Sequence, residues 1–87
     1  MTDWKWDYNP SEEYLTDGLP VGVIAEVERI ATELAALGRD AEAAGSRPED
    51  KLGGLRNFPL FGGRGFVQFL AVPRHECVYI CNIVWNG

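Results

Sequence analysis

The last quarter of the chain, Arg64 to Trp85 (RGFVQFLAVPRHECVYICNIVW), limits the fold more than any other stretch. Two runs rich in β-branched and aromatic residues, Gly65–Val72 and Cys77–Trp85, flank the polar connection Pro73-Arg74-His75-Glu76. Such residues suit a pleated, half-buried surface, and a four-residue connection is an ordinary hairpin length, so the stretch predicts a β-hairpin. Pairing Val72 with Cys77 continues as Leu70 with Tyr79, Gln68 with Cys81 and Phe66 with Ile83. Alternation then divides the hairpin into two faces. Val67, Phe69, Ala71, Val78, Ile80 and Val84 form a core face, on which Asn82 is the one misfit. Phe66, Gln68, Leu70, Tyr79, Cys81, Ile83 and Trp85 form a mixed face with Arg64 at its rim.

Upstream, Trp4-Lys5-Trp6-Asp7-Tyr8 alternates strictly and predicts a short half-buried strand. Asn9-Pro10-Ser11-Glu12-Glu13 predicts a helix start, with Asn9 as cap, and Asp17-Gly18 stops that helix. Leu19-Pro20 opens a longer helix to about Leu37. Its apolar residues Val23, Val27, Ile30, Leu34 and Leu37 recur at alternating spacings of four and three, with Ile24 and Ala31 widening the stripe. Gly38 ends it. Arg39–Asp50 reads mainly as a polar surface loop. Lys51–Arg56 returns the chain to the core, and Asn57–Phe61 reads as one more short strand, which Pro59 confines to an edge. The predicted fold class is α+β. A short strand and two helices precede a small antiparallel sheet ending in the hairpin (β-α-α-β-β-β), with the helices on one face.

Length and charge narrow the classes. The chain of 87 residues is one domain, and such a domain buries roughly 60% of its unfolded surface. No apolar run approaches the roughly 18 residues of a membrane span, and the N-terminus lacks signal-peptide character, so no membrane association and a cytoplasmic location are expected. Cys77 and Cys81 on one strand stand about 13 Å apart, too far for a disulfide, and read as small buried hydrophobes. With His75 in a turn as the only histidine, neither a metal site nor a cofactor is expected. The net charge of −5 is uneven: residues 1–50 hold twelve acidic and four basic groups, whereas residues 51–87 hold Lys51, Arg56, Arg64 and Arg74 against Glu76 alone. That asymmetry fits either a polyanion-binding surface or an acidic solvated helix placed ahead of a weakly charged sheet.

The order and spacing of these pieces resemble the RelE/ParE superfamily of toxins from bacterial toxin–antitoxin modules. The resemblance runs from Trp4 to Trp85. It rests on the opening strand with its NP helix start, the LP opening of the long helix, the KLGGLR return and the hairpin GRGFVQFLAV…VYICNIVW. It implies a single RelE/ParE-like domain, residues 1–87. The implied function is a ribosome-dependent mRNA endoribonuclease that inhibits translation and is neutralised by an antitoxin protein, with the ribosome and mRNA as further partners. It further implies that Arg64 contacts the scissile phosphate and Tyr79 assists proton transfer. Lys51, Arg56, Gln68 and Trp85 then bind substrate, Lys51 and Arg56 through the RNA backbone and Trp85 by stacking a base.

Each of these residues also has a structural reading: Arg64 as a solvated strand end, Tyr79 and Trp85 as edge-of-core aromatics, Gln68 as half of a polar pair. Family members usually continue the last strand into a basic tail, and ribosome-dependent members are commonly basic. Here the last strand is followed only by Asn86-Gly87, and the sequence pI is near 4.7. Two alternatives therefore stand beside the ribonuclease. One is a non-catalytic or ParE-like member binding an antitoxin or gyrase. The other is an unrelated small α+β domain that homodimerises through its open sheet face.

Overall fold

A computed structural model describes residues 3–46 and 54–86. The chain folds as β1 (Lys5–Tyr8), α1 (Glu12–Thr16), α2 (Val21–Leu37), α3 (Ala41–Ala44), β2 (Arg56–Leu60), β3 (Gly65–Val72) and β4 (Cys77–Trp85). The α+β class with helices on one face of a small sheet is the observed one. The four strands lie in the order β1-β4-β3-β2. β2 and β4 each run antiparallel to β3, while β1 runs parallel to β4, so the sheet is mixed.

Local chemistry accounts for the element ends. Ser11, rather than Asn9, caps α1 by accepting a hydrogen bond from the Tyr14 amide at 3.2 Å. Gly18 closes the following turn at φ +79°, a left-handed conformation in which glycine meets no Cβ penalty. In the segment expected to be mainly loop, a 3₁₀ turn (Gly38–Asp40) and the short α3 carry the chain past the sheet, and Ala41 is fully buried.

The core lies between α2 and the sheet. Val23, Val27, Ile30, Ala31 and Leu34 of α2 pack over Val67, Phe69, Ala71, Val78 and Ile80. The predicted stripe ends one turn early, because Leu37 is 46% exposed. Tyr8 is buried under the helix and donates its hydroxyl to Glu28 Oε2 at 3.1 Å, while Trp4 and Trp6 pack against the cluster's margin. Burial and the adjacent carboxylate together push the Tyr8 phenol well above its ordinary range.

The hairpin departs from uniform alternation at one place. Val72 pairs with Cys77 and Leu70 with Tyr79 as expected, but Gln68 pairs with Asn82 and Phe66 with Val84, leaving Cys81 without a partner as a β-bulge. The expected pairings of Gln68 with Cys81 and Phe66 with Ile83 are thereby corrected. One inserted residue reverses the facing of all that follows it. The bulge thus turns Asn82 out of the core and brings Ile83 and Trp85 onto the packed side, where both rest against the core cluster. Straight alternation would have buried an amide and left two large apolar side chains outside.

Candidate functional site: the open sheet face and its turn

The face opposite the helices carries Phe66, Gln68 and Leu70 of β3, Tyr79, Asn82 and Val84 of β4, and Asn57 and Pro59 of β2, by their register. β1 adds Lys5 and Asp7 beside Cys77 and Tyr79. The face is broad rather than concave. Two surface hollows lie off its centre, one lined by Ser11, Glu13, Tyr14, Thr16 and Asp17, the other by Asp3, Trp4, the end of α2 and Glu76.

The residues expected to act together are dispersed. Arg64 and Tyr79 sit at opposite ends of the hairpin: Arg64 immediately precedes β3, and Tyr79 pairs with Leu70. Six residues at about 3.3 Å each put their backbones roughly 20 Å apart, too far for one reacting phosphate. The Arg64 guanidinium carbon lies 5.8 Å from the Trp85 ring centroid, and Phe61 meets the same ring edge-on at 5.3 Å. Trp85 is thus a clamped residue on the packed side of the sheet and not a member of the open face. Arg56 is likewise on the helix side, in register with Phe69, its side chain only 18% exposed and 3.6 Å from Glu42 of α3. Gln68 does occupy the open face. Lys51 lies outside the described residues.

Two arrangements emerge that were not anticipated. The first is at the Pro73–His75 turn. Glu76 takes a left-handed conformation (φ 50°, ψ 49°) to close the connection, and His75 of that turn lies against Tyr79 of β4. In the Nδ1–H tautomer of His75 the imidazole donates to the Tyr79 hydroxyl oxygen at 2.9 Å, with the two rings edge to face, and Nε2 is left as a free acceptor; in the Nε2–H tautomer the hydroxyl donates to Nδ1 instead. Burial, then the neighbouring Cys77, raises the Tyr79 phenol, so it is a protonated donor at neutral pH. Burial likewise raises the Cys77 thiol. The sequence by itself places His75 only in the turn. Counting parity back through the connection (75, 77, 79) would have put it on the side of Tyr79.

The second arrangement is a row of carboxamides. Asn57, Gln68 and Asn82 stand in register across β2, β3 and β4. The Asn82 amide donates to Gln68 Oε1 at 3.4 Å, and Asn82 Oδ1 accepts from the Ile83 amide at 3.0 Å. Asn57 Oδ1 is buried and has no hydrogen-bond partner among the described residues. Such an acceptor costs roughly 1–3 kcal/mol until a donor reaches it.

The β2 edge is closed to strand addition and the β1 edge is partly blocked. On β1, the Tyr8 amide is taken by Asp7 Oδ1 at 2.8 Å. On β2, Asn57 exchanges two backbone hydrogen bonds with Ser46 (2.7 and 2.8 Å), and Pro59 has no amide to offer. Among the described residues no three His, Cys, Asp or Glu side chains converge as a metal site would require, and no helix is long and apolar enough to cross a membrane. No family model matches the chain, and no curated protein or solved structure matches it either.

Proposed function

We propose that the chain is a cytoplasmic RelE/ParE-like toxin, neutralised by an antitoxin protein, that cleaves mRNA on the ribosome through the His75–Tyr79 corner. The observation that carries this reading is the 2.9 Å hydrogen bond between these two rings at the open end of the last strand. Cleavage by an adjacent 2′-hydroxyl needs a base to take that proton, a cation beside the phosphate oxygens and an acid for the departing 5′-oxygen. In the Nδ1–H tautomer His75 donates to the Tyr79 oxygen, and its free Nε2 serves as the base that takes the 2′-hydroxyl proton. Tyr79, held protonated, serves as the acid. Arg74, exposed and next in the chain, supplies the cation. Arg64 stands outside this corner, which relocates the chemistry from the start of β3 to the turn before β4.

The test is to express the chain alone and with its antitoxin, and to map mRNA 5′ ends during growth arrest. His75→Ala and Tyr79→Phe should each reduce cleavage at least about a hundredfold, the usual worth of a general acid or base. Cleavage that survives both variants but is abolished by Arg64→Ala would overturn the assignment of the corner.

A protein-binding reading is favoured by a different observation. Arg56 and Trp85 turn away from the open face, which leaves Phe66, Leu70 and Val84 at its centre and no cation from β2, β3 or β4 on it. Growth arrest with intact mRNA would select this reading.

A further inference from the structure

We infer that the open sheet face is closed by a second copy of this chain, with the Asn57–Gln68–Asn82 row at the centre of a twofold interface. The inference goes beyond the toxin reading and does not rest on it.

Three observations select this occupant. The row comes first. A carboxamide carries both donor and acceptor, so a twofold axis brings to each row the complementary groups of its copy. Asn57 Oδ1, buried and without a partner among the described residues, lies below the surface, so the groups offered to a second copy are the half-buried Gln68 and exposed Asn82 carboxamides. Apolar Phe66 and Val84 on one side of the row and Leu70 on the other supply the surface that excludes water around it.

Charge is the second. Among the strand residues, the open face bears Lys5 and Asp7, one of each sign, because Arg56 is turned to Glu42. The acidic excess is carried by the other layer: Glu12, Glu13, Glu26, Glu28 and Glu33 all lie on α1 and α2. Apposing sheet faces sets the two acidic layers as far apart as two copies of this molecule allow. Any other apposition brings helices with like charge closer.

Shape is the third. The four strands supply 26 residues between them, each covering about 3.3 by 4.8 Å, or about 400 Å² in projection. The relief of the side chains brings the accessible surface of that face toward the ~800 Å² per partner found in stable complexes. The Ser46 bridge on β2 and the Asp7 carboxylate on the Tyr8 amide disfavour the other common mode of self-association, strand to strand.

The test is the mass of the purified full chain by light scattering and sedimentation equilibrium, over micromolar to millimolar concentration. The expected result is a dimer of twice the 9.7 kDa chain. Leu70→Arg should raise the dimer dissociation constant about a hundredfold while leaving the circular dichroism spectrum intact. Gln68→Glu should give a pH-dependent dimer, weakened at pH 8, where carboxylates face each other across the axis, and restored near pH 4, with wild type unchanged between the two. A monomer throughout the concentration range would overturn the inference and leave the face to another protein or to RNA. A dimer indifferent to both substitutions would overturn it as well, by placing the interface elsewhere.

Discussion

Gly65 begins β3 at the point where β4 crosses closest. A Cβ built there would lie 2.3 Å from the Val84 carbonyl oxygen and 3.2 Å from Trp85 Cα. Both are backbone atoms of the paired strand and cannot swing aside. Gly65→Ala should therefore cost about 3 kcal/mol in chemical denaturation, by forcing apart the strand end that carries Trp85. Gly22, in the first turn of α2, meets nothing within 4 Å. Gly22→Ala should stabilise by about 0.5–1 kcal/mol through the unfolded chain's lost freedom. Tyr8 offers a pH signature. Its folded pKa is raised, so below the unfolded value near 10 both states hold the proton and its contribution is fully present. Above pH 10 the unfolded state loses the proton first, and stability declines as pH rises toward the folded value. Tyr8→Phe should be about 1 kcal/mol less stable at pH 7 for loss of the Glu28 hydrogen bond. It should also show a shallower alkaline decline, so that the two stability curves converge above pH 10.

At the scale of elements, the bulge at Cys81 decides which side of the sheet the end of β4 faces. Removing Cys81 would leave Ile80 inward, Asn82 outward, Ile83 inward and Trp85 inward, the same facing the bulge achieves. Deletion of Cys81 should thus be tolerated, within about 1.5 kcal/mol, with Trp85 fluorescence unchanged. Deletion of Ile83 retains the bulge, turns Trp85 to solvent, and should cost more than the loss of Ile83's partly buried side chain alone. The order of strands and helices was legible because period-2 and period-3.6 patterns are strong over the hairpin and α2. The bulge was legible only as its symptom, an asparagine on the apolar face, since alternation by itself has no means of locating an inserted residue. The dispersal of Arg56, Arg64 and Trp85 was not legible at all. Arg56 is set by pairing with β3 and by α3 lying above it, and both are contacts between segments distant in the chain.

For the molecule as a whole, the decisive fact is that the last strand in sequence is interior in space. β4 pairs with β3 on one side and with β1, about seventy residues earlier, on the other. The Lys5 amide donates to the Glu76 carbonyl at 3.0 Å and the Asn9 amide to the Ile80 carbonyl at 2.9 Å, so the strand partner of β1 is the last strand. The helices cannot substitute for it. α2 buries its stripe in one cluster with Val78 and Ile80 of β4, and an amphipathic helix draws most of its stability from such packing. A chain ended at Glu76 would therefore lose the partner of β1, the inner partner of β3 and three fully buried residues, Cys77, Val78 and Ile80, together. That fragment should show no cooperative thermal transition and no protected amides, rather than a weakened version of the fold. The same topology makes the loop joining β1 to β4 nearly as long as the chain, and that closure entropy has to be met before the contacts that reward it form. Refolding of the full chain should accordingly fall in the millisecond-to-second range of non-local folds rather than the microseconds of a helical domain of this size. Stopped-flow Trp fluorescence measures it, and a microsecond phase accounting for the whole amplitude would show that β1 and β4 do not pair in the rate-limiting step.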